Sequence, residues 1–113
     1  MGASQSGSIQ EVNLPVVWLP EAVAELKEAA AWYSNVRPEL GIRFAQAIDA
    51  TMENISANPL LFAVADRNRR RAGVRRFPYG IFFIDEPNRI VVIACFHGKR
   101  NPRHWKTRPS NPS

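Results

Sequence analysis

Ile81-Phe-Phe-Ile-Asp-Glu-Pro-Asn-Arg-Ile-Val-Val-Ile-Ala-Cys-Phe-His97 is the stretch on which the fold turns. Two apolar runs, Ile81 to Asp85 and Arg89 to His97, are rich in β-branched and aromatic residues and are joined by Glu86-Pro-Asn88, so they read as a β-hairpin. Ile90 to Phe96 is apolar at both parities. A strand with that pattern lies in the middle of a sheet and is covered on both faces. Ala72 to Phe77 reads as a third strand leading into the hairpin.

Toward the N-terminus the periodicity changes. Asp66 to Arg71 is a polar, Arg-rich connector, and Leu60 to Val64 is expected to pack as a loop beneath a pair of helices. Those helices are marked by Pro20-Glu21 and Pro38-Glu39, because proline is tolerated in a first helical turn and an acidic residue there favours the helix dipole. In the first, Val23, Leu26, Ala30 and Tyr33 fall on one face, with Glu21, Glu25 and Glu28 toward water. In the second, Leu40 or Ile42, then Phe44, Ile48, Met52 and Ile55 form a stripe that stops at Asn58-Pro59. The short break at Asn35-Val-Arg-Pro38 makes the two an antiparallel hairpin.

Ahead of them, Leu14 to Leu19 has the length and flanks of a strand. The expected fold class is therefore α+β: an N-terminal strand, an antiparallel helical hairpin, then a three-stranded antiparallel meander (β-α-α-β-β-β). Residues 1–10 read as a flexible arm, 11–108 as a single domain, and 109–113 as a frayed tail.

A chain of 113 residues has room for one domain, and 45 % hydrophobic content is too high for a disordered one. Cys95 is the sole cysteine, so no internal disulfide can form, and a reducing cytoplasm is the expected compartment. No stretch approaches the ~20 apolar residues of a membrane span, and the N-terminus lacks a signal-peptide pattern. The net charge of +5 conceals a division. Residues 1–66 hold three basic residues against eight acidic ones, and residues 67–113 hold twelve against two, giving −5 and +10. Such a distribution implies an anionic partner for the second half, either nucleic acid or an acidic protein.

Arg75-Arg-Phe-Pro-Tyr-Gly-Ile-Phe-Phe-Ile84, followed by Ile90-Val-Val-Ile-Ala-Cys-Phe-His-Gly-Lys-Arg-Asn-Pro-Arg-His-Trp105, resembles the ParE/RelE superfamily of bacterial toxins, the plasmid stabilisation system proteins. The resemblance runs from about Asn13 to Arg108. Leu19 stands where family members often carry a Ser or Thr that caps the first helix, a change worth only ~1 kcal/mol. The resemblance implies a type II toxin that halts growth unless a co-encoded, acidic, ParD-like antitoxin wraps around it. ParE-like members poison DNA gyrase without hydrolysis of their own, whereas RelE-like members cleave mRNA on the ribosome. A degenerate, non-toxic member that only binds its antitoxin is a third reading.

A metal-independent ribonuclease needs a base, an acid and cations that hold the phosphate. Cations are plentiful in Arg75, Arg76, Lys99 and Arg100. Proton-transfer groups are scarce, since Asn54 to Ala65 contains no ionisable side chain and an indole such as Trp105 cannot act as a base. If the protein were an RNase, Arg76, His97 and Arg100 would carry the chemistry. Otherwise His97 is a structural imidazole at a strand end, and Arg75, Arg76, Lys99, Arg100, Arg103 and Trp105 form a surface for target or partner. Trp105 reads as an anchor folded back on the sheet or as an interface hot spot. Arg76 on a solvated face and Arg100 paired with Asp85 are the ordinary alternatives. Cys95, His97 and His104 have no zinc-site spacing, so neither a metal nor a cofactor is expected.

Overall fold

The computed structural model describes residues 14–98. Lys99, Arg100, Arg103, His104 and Trp105, together with both expected termini, lie outside the described residues.

Strand β1 (Val16–Trp18) is followed by helices α1 (Pro20–Val36) and α2 (Pro38–Ala57), a 3-10 turn (Pro59–Leu61), and strands β2 (Val64–Asp66), β3 (Arg69–Gly73), β4 (Tyr79–Glu86) and β5 (Arg89–His97). The five strands form one sheet in the order β1-β5-β4-β3-β2. β1 runs parallel to β5, and the remaining pairs are antiparallel. The α+β class and the burial of Ile90 to Phe96 agree with the sequence reading, but β4 is the central strand, with β5 between it and the short β1, and the meander gains a strand.

The two helices are separated by a single extended residue. Arg37 precedes a proline, which disfavours helical backbone at that position, and its φ of −162° both ends α1 and caps α2. Its N–H donates to the Tyr33 carbonyl at 3.0 Å, and its own carbonyl accepts from Leu40 N–H at 3.0 Å. No side chain caps α1. The Leu19 backbone serves instead: its N–H donates to the Val92 carbonyl at 2.9 Å and its carbonyl accepts from Val23 at 3.1 Å. Along α2, the buried residues Gly41, Phe44, Ile48, Thr51 and Ile55 make one stripe. Thr51 is satisfied by donating its hydroxyl to the Ala47 carbonyl at 2.8 Å. Gly41 is required by proximity, since a Cβ there would run into Ser34 of α1.

The hairpin covers one sheet face. Phe44, Ile48, Ile55 and Tyr33 pack with Ile81, Phe83, Ile90, Val92 and Cys95, while Leu19, Phe82, Ile84, Val91, Ile93, Ala94 and Phe96 form a second buried cluster. Each large side chain so buried contributes roughly 1.5–3 kcal/mol. In a regular strand alternate residues would share a face. β5 departs from this at a bulge, where Phe82 pairs with Ala94 and Phe83 with Val92, leaving Ile93 as the extra residue. Ile93 and Ala94 therefore both belong to the second cluster, and Cys95 returns to the helix side.

Six local expectations are corrected. The first strand is Val16–Trp18 rather than Leu14 to Leu19. The Asp66 to Arg71 connector is a β-hairpin, with Arg67 at φ 52° in its turn, and the third strand is Arg69–Gly73 rather than Ala72 to Phe77. Arginine tolerates this placement because its long stem can lie on apolar neighbours while its head reaches a polar group. Arg70 does so, donating from Nη1 to the Phe62 carbonyl at 2.6 Å. Leu60, Leu61 and Val64 are exposed rather than packed under the helices, and only Phe62 joins the core from that segment. On α1, Ala22 and Ala29 are buried beside Tyr33 where Val23 was expected, and Glu25 does not simply face water.

Candidate functional site

Two clefts open at the end of the molecule where β5 finishes and the chain turns from β3 into β4. Between them stands a wall of four rings, Tyr33, Phe44, Phe77 and Tyr79. Tyr33 lies 5.0 Å from Phe44 and 4.9 Å from Phe77, and Phe44 lies 5.1 Å from Phe77 and 5.4 Å from Tyr79, most pairs meeting edge to face. Such pairs add ~0.5–1.5 kcal/mol beyond the area they bury. The wall is therefore a stiff partition.

The first cleft lies between α1 and the end of β5, with a volume near 600 Å³, and is lined by Glu25, Glu28 and Trp32 on one side and Tyr79, Cys95 and His97 on the other. Glu25, Glu28 and Trp32 share a helix face because they are spaced by three and four residues. β1 ends at Trp18, so the β5 edge beyond Val92 has no neighbouring strand among the described residues. Glu25 substitutes for one there: its Oε1 accepts the Cys95 N–H at 3.0 Å. Burial, and then the Glu25 charge, push the Cys95 thiol up to about 12, so it is an inert thiol in the neutral range. Burial, and then Tyr79 beside it, likewise raise the Tyr33 hydroxyl. His97 is half-buried, with its ring edge-on to Tyr79 at 5.5 Å.

The second cleft lies between α2 and the Val74–Pro78 turn, with a volume near 660 Å³, and is lined by Leu40, Arg43, Gln46, Arg75, Arg76 and Phe77, among others. Phe77 N–H closes the turn on the Val74 carbonyl at 3.1 Å, and Val74 N–H donates to the Tyr79 carbonyl at 2.9 Å. Arg76, third in that turn, is held at φ 71°, in the left-handed region. For a non-glycine residue this costs of order 1–2 kcal/mol. The strain is maintained because Val74 and Phe77 on either side are anchored in the core.

Of the sequence-predicted site residues, Arg75 and Arg76 come together in the second cleft and His97 lines the first. Arg76 and His97 thus do not share a cleft. Arg43 and Gln46 were not anticipated, because a lone Arg in an amphipathic helix carries no motif. Helical spacing turns Glu25 toward water, since it cannot show that a sheet edge ends beside it. Among the described residues, no group of His, Cys, Asp or Glu is gathered to hold a metal ion, and no helix is long and apolar enough to cross a membrane.

Comparison with known proteins accords with this architecture. Residues 16–102 match the family described as ParE toxin of type II toxin-antitoxin system, parDE. A solved structure described as a chromosomal ParDE TA system from P. aeruginosa superimposes with a TM-score of 0.66 at 17% identity, covering 76% of this chain and 97% of that one. At that identity the likeness establishes a shared fold. No curated protein matches the chain.

Proposed function

The chain belongs to the ParE toxin family of type II toxin-antitoxin systems, and from that premise we propose that it inhibits DNA gyrase by binding, without catalysis of its own, and is neutralised by a co-encoded acidic, ParD-like antitoxin. One observation supports the reading: among the described residues, the groups a ribonuclease would need are sorted into different clefts. Among the described residues, Arg43, Arg75 and Arg76, which could hold a phosphodiester, line the second cleft, and no His, Asp, Glu, Lys or Tyr lines it to move a proton. His97 lines the first, beside Glu25 and Glu28, whose carboxylates repel a phosphodiester. Strand cleavage requires both sets within reach of one phosphate. A partner surface requires only a firm scaffold and exposed groups. Trp32, Val36 and Ile42, 61%, 55% and 60% exposed on the helices, supply apolar contacts of that kind.

The antitoxin follows from charge. A second half carrying +10 beside an amphipathic helical hairpin suits an acidic segment that folds on binding. A basic toxin-binding segment in the neighbouring gene product would contradict this.

A paired assay on the purified protein tests the proposal. Gyrase supercoiling and trapping of the gyrase–DNA cleavage complex are measured in one arm, and mRNA cleavage on translating ribosomes in the other. Inhibited gyrase with intact mRNA is expected. Cut mRNA with normal gyrase would assign a RelE-like activity and make His97→Ala a loss-of-cleavage variant. Inactivity in both arms, with antitoxin binding retained, would identify a non-toxic family member.

A further inference from the structure

Three guanidinium groups line one cleft: Arg43 from α2, and Arg75 and Arg76 from the turn before β4. Among the described residues no carboxylate lines it and none of the three makes an ion pair. Like charges gathered around a hollow of about 660 Å³ repel one another until an anion occupies it. Arg76 is held there at a φ of 71°, a conformation uncommon for a residue with a side chain. We propose that this cleft is an anion site that grips the sugar-phosphate backbone of duplex DNA.

The chemistry of the lining selects the ligand. One guanidinium matches one carboxylate bidentately, so three around a single hollow exceed what an isolated acidic side chain needs. A duplex offers a charge about every 1.7 Å along its axis and satisfies several cations together. Single-stranded nucleic acid is bound by stacking its bases on aromatic faces. The aromatic ring that lines this cleft among the described residues, Phe77, is half-buried and packed edge to face with Tyr33 and Phe44 at 4.9 and 5.1 Å. Among the described residues the cleft therefore offers one partly covered ring, against the several exposed faces that a single strand stacks on. The floor of Leu40 and Ala47 accepts sugar without hydrogen-bond demands, and backbone contacts of this sort position a protein on DNA without reading sequence. This inference goes beyond the gyrase reading and stands on the cleft alone, so the two fail in separate assays.

The test titrates the full chain into a fluorescently labelled short duplex of arbitrary sequence, following anisotropy over a range of salt concentrations. Affinity should fall linearly on a log–log plot against salt, with the other basic residues contributing part of the slope. Arg43→Gln, Arg75→Gln and Arg76→Gln should each reduce its steepness by about 0.9, and the triple variant by about 2.7. Thermal melting by circular dichroism establishes that the variants fold. If the triple variant does not, the wild-type chain serves: adding the duplex should shift the side-chain Nε–H resonances of these three arginines. A folded triple variant with wild-type slope overturns the proposal, as does a duplex that leaves those resonances unmoved. A poly-glutamate peptide that shifts them when the duplex does not would reassign the cleft to protein recognition.

Discussion

The two clefts share a wall and differ in almost everything else. On one side of the Tyr33–Phe44–Phe77–Tyr79 partition lie Glu25, Glu28, Trp32 and His97, and on the other lie Arg43, Arg75 and Arg76. In the linear chain the charge division falls near residue 66, acidic before and basic after. The fold does not preserve that boundary. The first cleft joins carboxylates from the acidic half to a strand end from the basic half, and the second recruits Arg43 from the acidic half. Partner chemistry is thus set by which helix faces which end of the sheet. Net charge of a segment is a weaker guide.

The comparison is broken most severely at the shared wall. Phe44 is fully buried and touches three of its neighbours in the ring cluster. Phe44→Ala should cost about 3–5 kcal/mol in urea unfolding, and both clefts should fail together. A loss below ~1 kcal/mol would mean that the partition is not what holds them apart.

A smaller effect is expected at the helix crossing. Gly41→Ala should destabilise by roughly 1–3 kcal/mol, because the added Cβ meets Ser34 side-chain and backbone atoms and must push α1 from α2. Melting temperature reads the loss.

Alkaline titration sharpens the difference between the sides. The Cys95 thiol is raised from 9.0 to about 12 in the folded state. Above pH 9 the unfolded chain gives up this proton and the folded chain keeps it, so unfolding becomes easier as pH rises. The contribution is intact below pH 9.0 and disappears progressively toward pH 12. Its slope is at most about 1.4 kcal/mol per pH unit. Burial raises Tyr33 as well, and it acts in the same direction. From pH 9 upward the unfolding free energy should decline for the wild type and decline less for Cys95→Ala, whatever that variant's absolute stability.

Smaller again is the effect at Glu25. Glu25→Ala removes the acceptor from Cys95 N–H, which should cost about 1 kcal/mol and hasten amide hydrogen exchange at Cys95. Glu25→Gln retains an acceptor oxygen and should recover most of the protection. If both variants exchange at the wild-type rate, the carboxylate does not close the sheet edge.

These outcomes turn on residues that differ in how legible they were. The hairpin of β4 and β5 was readable because apolar runs bounded by Glu86-Pro-Asn88 are a local signal. The helix break was readable because Pro38 constrains its predecessor. β3 was obscured by Arg69, Arg70 and Arg71, whose strand character comes from pairing with Ile84, Phe83 and Phe82 across the sheet. Strand pairing depends on context that no local window contains. At the candidate site, the sequence singled out Arg75, Arg76 and His97 but not their separation, because a partition made by α1, α2 and β4 exists only after folding. Glu25 and Arg43 were illegible for the same reason, each acquiring its neighbours from elements far along the chain.

The extra residue at Ile93 acts as a phase shift in β5. Before it, even-numbered side chains join the helices, and after it odd-numbered ones do. A continuous two-residue alternation would carry Ala94 and Phe96 into the helical core and turn His97 away from the first cleft. The chemistry at the strand's end therefore depends on parity as well as composition. Deleting Ile93 would remove the bulge and leave Ala94, Cys95 and Phe96 on their present sides, whereas straightening the bulge with the chain length unchanged would exchange them.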